Sequence, residues 1–403
     1  MKIPFFRPTI TEREIDEVVE CLRSGWLTTG PITRDFEAKF ASYVGAKHAV
    51  AVNSCTAALH LALEAIGLQR GELVLVPTMT FAATAEVVRY FDAIPVFVDC
   101  DPATLCVDVA AARRTCEQLR SGQAVPGLQP PHARLRAIIP VHYAGQMADV
   151  DAVKALAEEF QLAVIEDAAH TLPAYTRANG DAPWRAVGTT ADVTCFSFYA
   201  NKCITTGEGG MAVTDDDAIA ERMRLMSLHG MSKDAWKRYT SAGSWYYEIV
   251  APGFKYNLTD IAAALGRVQL SRAEELWSAR KLVASRYQHS LSEIPGLGLP
   301  VELPDRQHAW HLYSIRLDLD VWKSGRDAFI DGLKARGIGA SVHWQPLHMQ
   351  PYYREAFGLR PADFPVAAML WPQLVTLPLF PGMTVDEIDY VVAAIRSLHA
   401  EQG

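Results

Sequence analysis

Lys202 is the residue whose type and surroundings point most directly to covalent chemistry. It lies in SFYANKCITTGEGG (197–210), just beyond the strand-like run DVTCFSF (192–198). Burial among apolar and small residues favours the neutral amine, which forms Schiff bases with aldehydes. The alternative is a lysine that extends from a strand end to water. Thr205, Thr206 and the following glycines argue against it, because they predict a tight turn that fixes the direction of the lysine.

Three other strand ends carry residues that suit the same chemistry. Asp167 ends LAVIED (162–167), and a carboxylate buried there needs a cationic partner such as a protonated pyridine nitrogen. Residues 54–57 (SCTA) lie between a strand and a helix, where free N–H groups attract an anion. Phe81 follows LVLVPTMT and offers a ring that can stack on a planar cofactor. A surface aspartate, an ordinary helix cap and a core phenylalanine are the alternatives for each residue alone.

Taken together, these four features predict a pyridoxal 5′-phosphate (PLP) site. Other common cofactors do not require this combination of a phosphate cradle, an acid for a pyridinium, an aromatic ring for stacking and an aldehyde-binding lysine. No GxGxxG follows the first strand, and GxxxxGK[ST] and HExxH are absent, so the fingerprints of dinucleotide, P-loop and zinc-protease sites are missing. HAWHLY (308–313) and SVHWQPLH (341–348) have no carboxylate nearby in sequence, and we expect no metal.

Composition limits the remaining function classes. The 403 residues carry a net charge of −8 without a block of Lys or Arg, which disfavours nucleic acid or an anionic membrane as partner. Seven cysteines without a CxxC pair favour free thiols over disulfides or zinc. The start lacks a signal-peptide pattern, and no apolar stretch is long enough to span a bilayer. We therefore expect a cytoplasmic protein.

The order of elements predicts an α/β fold. From about residue 49 to 215, short apolar strands alternate with helical stretches, which is typical of a mainly parallel sheet covered on both faces. Active sites in such folds lie at the carboxyl ends of the strands. A long helical pattern over 260–291 leads to a smaller C-terminal α/β domain. We expect a large cofactor-binding domain at 1–260 and a linking helix with the small domain at 261–403.

The motifs along the chain resemble the DegT-type family of PLP-dependent nucleotide-sugar aminotransferases. The resemblance covers nearly the whole chain and rests on these segments: SGWLTTGP (24–31), NSCTAALHLAL (53–63), VPTMTF (76–81), IIPVHYAG (138–145), IEDAAH (165–170), FSFYANKCITTGEGGM (196–211), PGFKYNLTDI (252–261) and WHLY (310–313). The branch that aminates 4-keto sugars on nucleotide carriers, including the enzymes for 4-amino-4-deoxy-arabinose and perosamine, is the most similar. The resemblance implies the aspartate-aminotransferase fold (PLP fold type I) and a homodimer.

The resemblance also implies individual roles for the site residues. Lys202 bonds to the PLP aldehyde, Asp167 pairs with the pyridine nitrogen, and His170 lies beside the phenolic oxygen. Phe81 stacks on the ring, although relatives often have Trp or Tyr there. The phosphate is held by three residues of one chain and one of the partner subunit, namely Thr56, Ala57, Ser197 and, across the interface, Asn257. Tyr313 and His343 are candidates to line the sugar.

The implied reaction moves an amino group from an amino acid, L-glutamate by resemblance, to a keto sugar on a nucleotide diphosphate, at the 4-position and by a ping-pong mechanism. Some members carry His at the lysine position and act as dehydratases, whereas this chain has Lys202. Two alternatives remain. The acceptor could be a cyclic ketone without a nucleotide, such as an inosose or the precursor of an aminohydroxybenzoate, or the chain could be an inactive regulatory relative.

Overall fold

The computed structural model describes residues 1–231 and 247–401 of the chain. Its helices, in chain order, are α1 Glu12–Ser24, α2 Pro31–Val44, α3 Cys55–Ala65, α4 Ala83–Arg89, α5 Val109–Arg120, α6 Val150–Phe160, α7 Asp217–Met226, α8 Asp260–Ser271, α9 Ala273–Leu291, α10 Gly325–Ala335, α11 Pro351–Phe357, α12 Pro365–Leu370 and α13 Val385–Ala400. The strands are β1 His48–Val52, β2 Leu73–Pro77, β3 Ile94–Val98, β4 Leu135–Ile138, β5 Ala163–Asp167, β6 Tyr175–Thr176, β7 Arg185–Ala186, β8 Val193–Ser197, β9 Gly210–Thr214, β10 Leu297–Gly298, β11 Arg306–Gln307, β12 Tyr313–Leu317 and β13 Leu374–Leu377.

A large sheet organises the first half of the molecule. Within the described residues it has seven strands in the order β1-β9-β8-β5-β4-β2-β3. The pairs β2–β3, β2–β4, β4–β5 and β5–β8 are parallel, whereas β9 is antiparallel to both of its neighbours. The strands are almost entirely buried because helices cover both faces. The predicted α/β class with a mainly parallel sheet is confirmed.

The sheet buries two apolar layers. On one face, α3, α4 and α7 pack over side chains such as Val52, Val76 and Ile165. On the other face, α5 and α6 cover β2 to β5, while α2 and α8 cover β1, β8 and β9. The polar side chains at the carboxyl ends of β2, β5 and β8 therefore extend from strands that are tightly packed on both faces.

A smaller sheet, β10-β12-β13, packs with α9, α10 and α13 around Trp322, Tyr287 and Phe380. The chain crosses between the two packed regions at both ends. Ile3 pairs with Ile338 of the small sheet region, so the N-terminus lies with the C-terminal part. The segment 347–374 returns to the large sheet and contributes the following side chains to its two layers: Leu347, Tyr353, Leu359 and Phe364 to the first, and Ala367, Leu370 and Leu374 to the second. The predicted boundary at residue 260 stays a prediction.

The described part of the chain contains no helix that is both long and apolar enough to cross a bilayer. Within the same residues, no group of three or more His, Cys, Asp or Glu side chains is placed to hold a metal ion. All seven cysteines are buried free thiols.

Candidate active site

The N-terminus of α3 forms an anion cradle. Ser54 has an extended backbone and caps the helix, accepting a hydrogen bond on its hydroxyl from the Ala57 N–H at 3.0 Å. The N–H groups of the first turn that the cap leaves free point out of the helix beside the half-buried Thr56. Gly210 makes the cradle possible, because a Cβ there would lie 2.5 Å from the Ser54 carbonyl carbon. Ser197 pairs with Gly210 between β8 and β9, which brings it to the same place.

Asp167 is a buried carboxylate without a cationic partner. It ends β5 and is 6 % exposed. Its Oδ2 accepts a hydrogen bond from the Thr84 hydroxyl at 2.8 Å, and its Oδ1 accepts one from the Ala169 N–H at 3.2 Å. No Lys, Arg or His of the described residues forms an ion pair with it, and burial raises the pKa of Asp167. Such a group is stabilised by a protonated ring nitrogen, which is what PLP offers.

Lys202 lies in the loop that joins β8 to the antiparallel β9. The turn is fixed by its own backbone, since the Lys202 N–H donates to the Tyr199 carbonyl at 2.9 Å and the Thr206 N–H donates to the Phe198 carbonyl at 2.9 Å. Thr205 adds a hydroxyl bond to the same Phe198 carbonyl at 3.1 Å. Burial lowers the pKa of Lys202, and the nearby Asp167 opposes that effect only in part. Burial therefore shifts the Lys202 amine towards the neutral, nucleophilic form that the sequence predicts.

His170 follows Asp167 on the loop after β5 and is 4 % exposed. Its Nδ1 accepts a hydrogen bond from the Ala144 N–H at 3.2 Å, so the neutral ring carries its hydrogen on Nε2. Burial, followed by the charge of Lys202, holds the pKa of His170 well below its usual range. A neutral imidazole with a fixed Nε2–H donor can bind a phenolate oxygen without adding a charge.

Phe81 lies between β2 and α4, with 58 % of its surface exposed. Its ring centroid is 6.2 Å from that of Trp344, at an interplanar angle of 49°. The Phe81 carbonyl accepts from the N–H of Thr84, the residue whose hydroxyl bonds to Asp167, so this exposed ring lies one residue contact from the buried carboxylate and can cover a flat cofactor.

The remaining three predicted residues are Asn257, His343 and Tyr313, and they differ in how accessible they are to a ligand. The Asn257 amide donates to the Thr29 hydroxyl at 2.6 Å, and its carbonyl oxygen accepts from the Lys255 ammonium. His343 is half-buried, with its Nδ1 2.9 Å from the Thr376 hydroxyl, and burial followed by Lys202 lowers its pKa to about 4. Tyr313 is fully buried in the small-sheet core, where its hydroxyl donates to Gln288 at 3.0 Å. The structure does not bring Tyr313 to the pocket.

The site also contains residues that sequence reasoning missed. Thr84 holds Asp167, and His311 and Trp344 lie against His170 with ring centroids 4.4 Å and 5.0 Å away. Burial lowers the pKa of His311 well below its usual range. HAWHLY and SVHWQPLH were considered as metal candidates, and Tyr313 and His343 within them as sugar candidates, but His311 and Trp344 were not singled out. The cluster of aromatic residues in these two segments was the feature of the sequence that could have indicated His311 and Trp344.

The described residues supply the types of group that PLP binding requires. The cradle at α3, the unpaired Asp167, the low-pKa Lys202 and the open Phe81 meet at the carboxyl edge of the large sheet, where such folds place their sites. An acid for the ring nitrogen and an amine for the aldehyde are both present and preorganised.

Comparison with known proteins agrees with this geometry. The profile of the DegT/DnrJ/EryC1/StrS aminotransferase family matches residues 8–396. The chain belongs to this family. It is 44 % identical over 397 residues to the spore coat polysaccharide biosynthesis protein SpsC of Bacillus subtilis, covering 98 % of this chain and 97 % of SpsC.

Solved structures of aminotransferases have the same fold as this family member. Spr1654 of Streptococcus pneumoniae, assigned as a sugar aminotransferase and solved in its PLP form, is 30 % identical and has a TM-score of 0.86, with 100 % of both chains covered. PseC of Helicobacter pylori, an aminotransferase involved in the biosynthesis of pseudoaminic acid, is 26 % identical with a TM-score of 0.86 over 100 % of both chains. The predicted family, fold type, cofactor and enzyme class are confirmed: this is a PLP-dependent sugar aminotransferase.

Proposed function

We propose that the enzyme transfers an amino group from L-glutamate to the C4 ketone of a sugar carried on a nucleotide diphosphate. The observation that carries the proposal is that one site contains Asp167, a buried carboxylate that forms no ion pair among the described residues, and Lys202, a lysine whose pKa burial lowers. Because the same two residues act first on the amino donor and then on the keto acceptor, the two half-reactions share one site, which supports ping-pong kinetics. The similarity to SpsC supports a polysaccharide precursor as the product.

Lys202 moves the proton in both halves of the reaction. When bound, PLP supplies an electron-withdrawing ring that takes up the charge left when a proton leaves the donor α-carbon. The Lys202 amine accepts that proton as general base and returns it as general acid. Burial lowers the pKa of Lys202, which favours the neutral amine that a general base requires. The loop bonds to Phe198 and Tyr199 restrict the path of the amine, so that it acts on one face of the site.

Asp167 and His170 set the protonation state of the cofactor in this proposal. The Asp167 carboxylate, held by Thr84 and Ala169, keeps the ring nitrogen protonated through its negative charge. His170 donates from Nε2 to the phenolic oxygen, and its Nδ1 is already committed to the Ala144 N–H. The two residues would thus act on different groups of the ring, Asp167 as a charge and His170 as a neutral donor.

Binding of the phosphate completes the cofactor site. We assign this role to Thr56 and Ala57 in the first turn of α3, and to Ser197, which its pairing with Gly210 brings beside that turn. The Ala57 N–H, which donates to Ser54 in the structure, would exchange that acceptor for a phosphate oxygen. Asn257 is proposed to reach the phosphate of the partner subunit in a homodimer. One of its two amide hydrogens is bonded to Thr29 in its own chain, and the other remains available for an oxygen of the partner site.

His343 is proposed to face the acceptor sugar. It is half-buried near Lys202, which contributes to its lowered pKa, and it is neutral at physiological pH. Tyr313, whose ring and hydroxyl are enclosed, is left out of the proposed sugar site. We further propose that the enzyme works in the cytoplasm, because its seven thiols are all free.

The acceptor class can be tested without a donor. Apo-protein loaded with pyridoxamine 5′-phosphate (PMP) is mixed with 4-keto-6-deoxyhexoses linked to UDP, dTDP or GDP, and the return of the PLP absorbance is followed. We expect one nucleotide-linked sugar to oxidise the PMP form rapidly. If free inososes do so and no nucleotide-linked sugar does, the cyclic-ketone alternative replaces this proposal.

A further inference from the structure

Trp344 forms an aromatic wall between the cofactor site and the small sheet. It contacts three rings that come from separate parts of the chain: Tyr143 at 5.8 Å, His170 at 5.0 Å and Phe81 at 6.2 Å between centroids. Its neighbour His343 lies 5.5 Å away. The indole is therefore fixed from several sides, close to the two residues that are proposed to bind the phenolic oxygen and cover the ring.

The indole still has binding capacity that the chain does not use. Trp344 is only half-buried, and its N–H has no acceptor among the described residues. By contrast, the indole of Trp277 donates to the His308 carbonyl at 2.9 Å, and that of Trp26 donates to the Thr29 carbonyl at 3.2 Å. The indole N–H groups of Trp310 and Trp322 also lack an acceptor, but they are enclosed in the small-sheet core, where no ligand reaches them. An indole N–H at a pocket usually has a partner when the pocket is filled.

The ring face of Trp344 is also free of a covering cation. Other tryptophans at the surface have one: Arg177 lies over Trp184 at 4.5 Å, and Arg326 lies over Trp371 at 4.3 Å. In the part of the chain that the structure describes, no Lys or Arg lies over Trp344. The His170 ring stacks on one face of the indole at an interplanar angle of 27°, so a ligand would contact the part of the half-buried ring that remains exposed. That exposed part, with a free donor at its edge, matches a ligand that has an apolar C–H face and hydroxyls around its rim.

We propose that Trp344 selects the ring of the acceptor, stacking on the C–H face of the sugar and donating its indole N–H to a sugar hydroxyl. This assignment rests on the proposed function only in requiring that the acceptor be a cyclic ketone. A 2-oxo acid such as 2-oxoglutarate has no ring to stack. Trp344 therefore favours one half of the reaction over the other, while Lys202 and Asp167 serve both.

The test compares two ketones in a single turnover on the same PMP-loaded enzyme. One is 2-oxoglutarate, and the other is whichever nucleotide-linked 4-keto-6-deoxyhexose or inosose reacts in the screen above. With Trp344→Leu, we expect the half-saturating concentration of the cyclic ketone to rise about tenfold or more, while that of 2-oxoglutarate stays unchanged. Trp344→Phe, which keeps an aromatic face but loses the N–H, should lie between Trp344→Leu and the wild type.

Controls separate this role from packing and from the proposed function. Trp184→Leu removes a surface tryptophan outside the site and should alter neither ketone. Equal weakening of both ketones in Trp344→Leu would mean that Trp344 only supports His170, and the assignment would be overturned. Unchanged half-saturating concentrations for both ketones in Trp344→Leu would also overturn the assignment. If wild-type PMP enzyme reacts with 2-oxoglutarate but with no cyclic ketone, the proposed function fails and this inference fails with it.

Discussion

Glu166 and Asp167 are adjacent in β5, and their carboxylates have opposite environments. Alternation along the strand points them to opposite faces of the sheet. Burial alone would raise the pKa of Glu166, but His142 at 3.5 Å and the hydroxyls of Thr190 and Thr194 reverse the effect and lower it. Asp167 has no such set of partners, and burial raises its pKa. One carboxylate is satisfied within the fold, and the other needs the cofactor.

Asp167→Asn tests that need directly. The amide keeps the size and hydrogen bonding of the side chain but removes the charge that holds the ring nitrogen protonated. We expect proton transfer from L-glutamate to slow by roughly 100-fold or more, which corresponds to about 2.7 kcal/mol in the barrier. Single-turnover absorbance of the PLP form measures this rate.

Cofactor binding in Asp167→Asn should weaken much less than turnover, and equilibrium titration of the apo-protein with PLP checks this. Asp181→Asn, at an exposed loop position, is the matched control and should behave as wild type. Unchanged proton transfer in Asp167→Asn with the cofactor bound would contradict the assignment.

Sequence reasoning found the site residues that lie inside recognisable local patterns. Lys202 and Asp167 each follow a buried strand, and residues 54–57 begin a helix, so their positions follow from the α/β pattern. Thr84 and Trp344 were missed because their roles exist only through contacts with Asp167 and His170, which are distant in sequence. The burial of Tyr313 could not be predicted either, because an aromatic residue in a strand gives the same sequence pattern whether its side chain faces a core or a pocket.

At the scale of elements, β9 explains how the lysine loop is built. The strand at 209–215 was predicted, but its reversed direction was not. Two parallel strands need a long crossover, usually a helix, whereas antiparallel neighbours are joined by a short loop. The segment between β8 and β9 has no helix, and because this loop is short, Lys202 stays close to the ends of the two strands.

The long helical pattern over 260–291 is two helices in the structure. The chain breaks at Arg272, whose guanidinium turns inward to bind the fully buried Glu14 at 2.5 Å. Gln269 donates to the same carboxylate at 2.8 Å. Apolar periodicity continues through the break, so the pattern alone could not reveal it. The physical cause is an ion pair that joins α1 to the junction of α8 and α9.

Glu14→Gln should destabilise the protein by about 3 kcal/mol at neutral pH, because it removes the buried partner of Arg272 and leaves that charge only the exposed Glu275. Although burial raises the pKa of Glu14, hydrogen bonds from Thr11, Arg272 and Gln269 together lower it to about 2. A lowered folded-state pKa stabilises the fold above the unfolded pKa of 4.5. That contribution is lost as the pH falls from 4.5 towards 2.

Urea unfolding at several pH values measures both effects. The free energy of unfolding of wild type should fall more steeply over that acid range than that of Glu14→Gln. Glu12→Gln, an exposed change in the same helical turn, is the control and should leave stability within about 0.5 kcal/mol. Parallel pH curves for wild type and Glu14→Gln would show that Glu14 has the same pKa in the folded and unfolded chain, which would contradict the lowered pKa.

At the scale of the whole molecule, the segment that carries Asn257 has an apolar exposed edge. The aromatic stretch SAGSWYYEIVAP (241–252) supports a subunit contact there, and its residues 241–246 lie outside the described residues. Among the described ones, Tyr247, Ile249 and Val250 are exposed at 41 %, 67 % and 58 %. Such a cluster favours burial against a second copy of the chain.

Complementation tests whether two copies share their sites. Lys202→Ala and Asn257→Ala proteins, each poorly active alone, are unfolded, mixed equally and refolded. If Asn257 serves the partner, half of the dimers are mixed and each contains one intact site, so about a quarter of all sites should regain activity. Specific activity of the mixture measures the recovery.

Refolding each parent alone gives the baseline, and differently tagged chains confirm that mixed dimers form. Mixed dimers without activity above that baseline would place Asn257 at the site of its own chain.

The return of residues 347–374 to the large sheet has a consequence for biosynthesis. The strands of that sheet are complete once residue 214 has been made, yet its two apolar layers lack side chains that lie more than a hundred residues later. A nascent chain at that point exposes unfilled hydrophobic gaps, because contacts distant in sequence form last. The large domain therefore cannot mature on the ribosome ahead of the rest of the chain, and chaperones have a long interval in which to bind it.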